Sequence, residues 1–131
     1  MPNNFKSAQA KEIINYIKEK YDGDLEFLWE NSPDAAIWRN KANKKWYGII
    51  MTISENKLGL KSDKKIEIIN VKYQKGITNS ITDFKHIFPA YHMNKQNWVT
   101  IALDKGLNTG KIFELIDNSY SLISQKAKRK K

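Results

Sequence analysis

Apolar residues recur along this chain in two periods, a helical one at each end and a strand-like one between. Ala10, Ile13, Ile14, Ile17 and Tyr21 follow the i, i+3, i+4, i+7 rule and predict an amphipathic helix over residues 7–21. Ser7 stands at its N-cap, and Asp22-Gly23-Asp24 ends it. A short apolar connector, Leu25 to Trp29, leads to a turn at Asn31-Ser32-Pro33-Asp34. Residues 35–39 and 45–53 read as two strands joined by the polar segment 40–44, an antiparallel hairpin with a basic tip of Arg39, Lys41, Lys44 and Lys45.

A polar loop over 54–65 precedes a third strand, Ile66 to Lys72. Alternation puts Ile66, Ile68 and Asn70 on one face of it and Glu67, Ile69 and Val71 on the other. In residues 76–86, Ile77, Ile81 and Phe84 support a short helix, while β-branched residues and Asn79 leave an irregular crossing open. A second hairpin follows, with its turn at Met93 to Gln96. In its second strand Val99, Ile101 and Leu103 make a core face, and Trp98 and Thr100 share the other. Thr109 caps a last helix over 110–124, whose inner stripe is Ile112, Leu115, Ile116, Ser119 and Ile123; Ser119 within it implies close approach to the sheet. Terminal helices on an antiparallel sheet define a two-layer α+β domain over residues 1–125, followed by a disordered basic tail at 126–131.

The stretch Pro-Ala-Tyr-His-Met-Asn-Lys-Gln-Asn-Trp, residues 89–98, resembles the signature of the MmcQ/YjbR family, small bacterial proteins described as predicted DNA-binding. Tyr21, Trp29, Pro33, Arg39, Lys45-Trp46, Asn70-Val71-Lys72 and Ser119-Tyr120 agree with that family, and the resemblance runs from about Lys11 to Ile123. It implies a CyaY/frataxin-like fold with wing-like hairpins.

Charge adds a direction. The chain carries 23 Lys and Arg against 14 Asp and Glu, a net +9. Residues 1–38 are net −3, residues 39–75 net +7, and the last six add five basic groups, so the body without them is still +4. An excess gathered in one segment points to a polyanion; a Lys-rich proteome would give a basic domain as well. Six acids between Glu19 and Asp34 match no metal-loop spacing and read as a solvated ridge.

Enzyme motifs are missing. The chain has no cysteine, no Gly-x-Ser-x-Gly, no P-loop and no Gly-x-Gly-x-x-Gly. Its two histidines, His86 and His92, lack a third ligand at zinc spacing, and no cofactor is expected. His92 could form an acid–base pair with Asp104 or Asp83, but a hydrogen-bonded structural histidine is the commoner case. Trp38, Trp46 and Trp98 with Tyr47, Tyr73 and Tyr91 divide between core and base-stacking roles. Trp29 is expected buried and Trp98 partly exposed. Asn94 and Asn97 could read an adenine edge.

These readings define a cytoplasmic, monomeric, non-enzymatic nucleic-acid-binding domain, for DNA in preference to RNA, with no membrane partner. Arg39, Lys41, Lys44, Lys45, Lys72 and Lys95 would meet phosphates, Trp46 would stack beside them, and His92, Asn94, Lys95 and Trp98 would form the more specific patch. The alternative is a protein-interaction module or a site for an anionic small ligand.

Overall fold

In the computed structural model, which describes residues 5–124, five strands form one antiparallel sheet in the order β1-β2-β3-β5-β4. They are β1 (Ala35–Arg39), β2 (Trp46–Ser54), β3 (Lys65–Lys72), β4 (Ile87–Pro89) and β5 (Trp98–Ala102). Two helices, α1 (Ala8–Tyr21) and α2 (Thr109–Ser124), pack on one face. The basic tail expected at 126–131 lies outside the described residues.

Alternation along the strands separates two apolar layers. Ala36, Trp38, Ile50, Ile69, Val71, Val99 and Ile101 point toward the helices and meet Ile13, Ile17, Ile112 and Ile116. Ile53, Ile66, Ile68, Phe88 and Ala102 point the other way, where loop residues Leu58, Leu60 and Tyr91 cover them. β3 is buried on both faces, which explains its near-continuous apolar run.

The helices are tied to the sheet by polar contacts at chosen points. Ser7 Oγ accepts the Ala10 amide at 3.1 Å, the expected N-cap. The Asp104 carboxylate accepts the amides of Ala8 and Gln9 at 3.2 Å, and Glu67 accepts those of Lys6 and Ser7 at 2.7 and 2.9 Å. Glu67 on β3 and Asp104 just past the end of β5 therefore meet the positive end of α1. Between the helices, Tyr16 stacks on Phe113 at 3.9 Å and Tyr21 on Tyr120 at 3.8 Å, with Asp117 accepting both Tyr16 and Tyr21 hydroxyls.

β2 bulges where it meets β1. Trp38 pairs with Gly48 and Arg39 with Trp46, so Tyr47 is the extra residue and turns into the helix-side core. Gly48 is required there, because a Cβ would stand 2.9 Å from Trp38 Cε3. The β2–β3 ladder ends at Gly48–Val71. One residue further, Ser119 donates to the Tyr47 carbonyl at 2.7 Å and accepts the Lys72 amide at 2.9 Å, so a helix hydroxyl bridges the two strands.

Each outer strand has part of its free edge occupied. On β1, Ile37 exchanges two 2.9 Å bonds with Glu26, and Ala35 donates to the Ser32 carbonyl. On β4, the Ile87 carbonyl accepts from Asp83 and Phe84, its amide donates to Asp83 Oδ1, and Pro89 has no N–H to offer.

Of the two courses open to residues 76–86, the chain takes the irregular crossing, with a single 3-10 turn, Thr78–Ser80, and Ile77 and Phe84 exposed. Two expectations need correction. The first arm of the second hairpin is only three residues long, and the connection runs from Ala90 to Asn97 rather than Met93 to Gln96. Asn108, not Thr109, caps α2, its Oδ1 accepting the Lys111 amide at 3.2 Å; Thr109 instead accepts from Gln9 at 3.1 Å.

Candidate functional site

The sheet face without helices carries several of the candidate residues named from the sequence. Trp38 faces the helices, so the register puts Arg39 and its partner Trp46 on the opposite face. Val71 and Val99 likewise send Lys72 and its partner Trp98 outward. These four residues come from the C-terminal ends of β1 and β3 and the N-terminal ends of β2 and β5. In an antiparallel sheet those ends coincide, so the four form one row across the sheet.

One pair inward, Asn70 and Thr100 face each other in full burial. The Thr100 hydroxyl donates to Asn70 Oδ1. Asn70 Nδ2 donates to the Tyr91 carbonyl at 3.1 Å, and the Tyr91 amide donates to Thr100 Oγ1 at 2.8 Å. This closed ring of bonds fixes the loop that carries His92. His92 is exposed, lies in the left-handed region at φ 60°, and meets the Tyr91 ring edge-on at 4.1 Å. Histidine enters that region more readily than most side chains.

The remaining sites fall out as follows. Asn94 Oδ1 accepts the Gln96 amide at 2.8 Å and its carbonyl accepts the Asn97 and Trp98 amides, so it organises the turn. Lys95 is exposed in the same loop, its carbonyl held by Thr78 Oγ1 at 2.7 Å. Lys44, at φ 66°, and Lys45 are exposed at the β1–β2 turn. Arg39 is paired with Glu26 at 3.0 Å. Lys41 is paired with Asp22 at 3.0 Å and Asp24 at 3.6 Å, on the α1 side of the molecule. Bonds from Lys18 first and then from Lys41 hold the Asp22 carboxyl down at about 2.

His92 pairs with neither acid considered for it. Asp104 caps α1. Asp83 accepts the amides of Lys85, His86 and Ile87 and binds His86 Nδ1 at 2.9 Å. Partial burial alone would raise the Asp83 pKa; the three amides and the His86 ring outweigh it and hold the carboxyl far below the usual range. Among the described residues no group of His, Asp and Glu is arranged to hold a metal ion.

Two clefts flank the Tyr91–His92 ridge. One, of 480 Å³, has Trp29 on its far wall and Met51 and Ile53 in its floor. The other, of 460 Å³, has Phe84 opposite the ridge, Phe88 beneath, and Lys57 and Lys95 at its edge. Trp29 is 40% exposed rather than buried, and touches Trp46 edge-on at 6.1 Å. Nothing in residue spacing marks Trp29 and Phe84 as exposed, since large apolar residues ordinarily face inward. Asn70 and Thr100 carry a visible signal, polar residues at one face of two apolar strands.

A helix-backed sheet with a polar-anchored aromatic loop on its open face describes the class. The chain belongs to the YjbR family, whose profile matches residues 18–122. It is 38% identical over 112 residues to the uncharacterized protein YyaQ of Bacillus subtilis (strain 168), covering 86% of this chain and 95% of that protein. A crystal structure of a Pseudomonas syringae protein superposes with a TM-score of 0.82 at 38% identity, over 86% of this chain and 96% of that one. A Deinococcus radiodurans protein, DR2400, with a DUF419 domain, shares the fold at a TM-score of 0.67 and 17% identity, over 89% and 79% of the two chains. No described helix is long and apolar enough to cross a membrane.

Proposed function

We propose that this chain is a nucleic-acid-binding module of the cytoplasm rather than an enzyme, favouring DNA over RNA, and that the helix-free face of its sheet is the contact surface. The observation that carries this reading is where lysines without an acid partner stand beside aromatics. Lys18, Lys20 and Lys41 are neutralised by Asp22, Asp24 and Asp117. Among the described residues, Lys45, Lys57, Lys72 and Lys95 have no acid within ion-pair distance, and the same holds for Lys6 and Lys11 near α1, so the neighbouring aromatics distinguish the first group. Lys72 lies beside Trp98 and Lys45 beside Trp46, at one end of the sheet. Unpaired lysines next to partly exposed aromatics suit a phosphate backbone, whose counterions they displace.

Fluorescence anisotropy of labelled DNA over a salt series tests it. The Lys72→Ala, Lys95→Ala double variant loses about two units from the slope of log K against log salt. Lys41→Ala, whose partner acids already hold it, leaves the slope nearly unchanged. Absence of binding, or equal effects of all three lysines, overturns the reading. The second reading, an anionic small ligand, is favoured by the apolar cleft edged with Lys57 and Lys95. It predicts saturable one-to-one binding with a shallow salt slope.

A further inference from the structure

The two clefts beside the Tyr91–His92 ridge are alike in a way that the lysines alone do not explain. Each is bounded by that ridge on one side and by an exposed aromatic on the other, Trp29 at 40% and Phe84 at 61% exposure. Each has an apolar floor, and each volume falls within the range of small-molecule sites, roughly 300–1,000 Å³. Phe84 is held out by the Asp83 turn, at φ 58°. The ridge is held up by the buried bonds of Asn70 and Thr100. Both walls of the Phe84 cleft are therefore set before any ligand arrives, and pre-set walls reduce the ordering cost of binding.

Resting on the nucleic-acid reading above, we propose that the ligand is a single strand, and that neighbouring unpaired bases enter the two clefts with His92 between them. A duplex keeps its base faces stacked inside and offers phosphates and groove edges; the aromatic walls of these open clefts find no base face there. An unpaired base offers a flat π-face, for which Trp29, Phe84, Tyr91 and His92 are partners. Lys57 and Lys95, at the rim of the Phe84 cleft, place the phosphates on that side. Asp34 is the one acid among the described lining residues and belongs to the Trp29 cleft. It repels a phosphate and accepts from an exocyclic amino group, so the base in the Trp29 cleft turns its amino edge to Asp34 while the phosphates keep to the side of the lysines.

The test compares a labelled mixed-sequence single strand with the same sequence closed as a hairpin duplex, using the full chain. The intact protein binds the single strand at least tenfold more tightly. Trp29→Ala and Phe84→Ala each weaken single-strand binding about tenfold, in line with the loss of one base stack, and leave duplex binding unchanged. Trp29→Phe and Phe84→Tyr retain binding, which separates lost stacking from lost folding; thermal melts of each variant confirm that separation. Equal affinity for both DNAs, or alanine variants that weaken both alike, overturns the single-strand proposal. If Lys72→Ala and Lys95→Ala still weaken both DNAs while the aromatic variants are silent, the nucleic-acid surface stands and the clefts are not part of it. If neither DNA binds, both readings fall together.

Discussion

Asn70 and Thr100 meet side chain to side chain across β3 and β5, and Tyr91 closes the ring by bonding to both through its backbone. All the polar atoms involved lie on the open face of the sheet under a loop. The loop is thus fastened to the sheet by directional bonds rather than by apolar contact alone. Inside a protein an unmade hydrogen bond costs more than a made one yields, because the orphaned group cannot return to water.

Asn70→Ala therefore leaves the Thr100 hydroxyl and the Tyr91 carbonyl short of partners. We expect a loss of about 2–4 kcal/mol in urea unfolding, given about 1–3 kcal/mol for each orphaned buried group. Hydrogen exchange at the Tyr91 amide should accelerate more than exchange in α1. A uniform acceleration would mean that the ring is ordinary core and not a loop anchor.

Ser119 makes an equally specific connection on the other face. Ser119→Ala removes the donor to the Tyr47 carbonyl and the acceptor of the Lys72 amide together. The expected cost is about 2–4 kcal/mol by the same reasoning. The Lys72 amide is the reporter: its protection falls while that of Ile69, inside the ladder, holds.

Gly48→Ala tests the bulge. A Cβ there reaches 2.9 Å from the buried Trp38 ring, which has no room to withdraw. Overpacking of this kind costs about 1–3 kcal/mol, read as a lower unfolding midpoint with near-ultraviolet circular dichroism altered by the shifted indole.

The interhelical carboxylate gives stability a pH dependence. Burial pushes the Asp117 pKa up, but the Tyr21 and Tyr16 hydroxyls and Lys20 outweigh it and leave the group below its ordinary value. A depressed folded pKa means stability that is present above the unfolded pKa, about 3.9, and is lost as pH falls through the folded one. Asp117→Asn should flatten that acid limb. Burial, then the bond to Asp117, raises the pKa of Tyr21. A raised folded pKa adds stability below about pH 10 that disappears as pH rises through the folded value. Tyr21→Phe should remove that alkaline limb in a melt series from pH 8 to 12.

Much of this architecture is legible in residue spacing. The stripe Ala10, Ile13, Ile17 places α1 within a residue of its observed bounds, and Ala35–Arg39 is the first strand as read. Ser119 on an apolar stripe announced a close contact, and the sheet supplied it. Spacing failed where a side chain obeys a local bond instead of the core. Ile77 and Phe84 recur at helical intervals, yet Asp83 gathers three backbone amides and turns Phe84 outward. Asn108 outcompetes Thr109 as a cap because Gln9, distant in sequence, has claimed the Thr109 hydroxyl. Of the open face, Arg39, Trp46, Lys72 and Trp98 could be named from the chain. Their alignment in one row could not, since it depends on the bulge at Tyr47 and on β5 inserting between β3 and β4.

The partly occupied edges of the sheet bear on behaviour at high concentration. An outer strand with free amides and carbonyls is a template on which another chain can polymerise. Here Glu26 occupies one border, and Asp83, Phe84 and Pro89 occupy the other. The same turn that displays an aromatic to solvent also blocks the ladder beside it, so exposing Phe84 does not bring with it an open seam for amyloid-like growth.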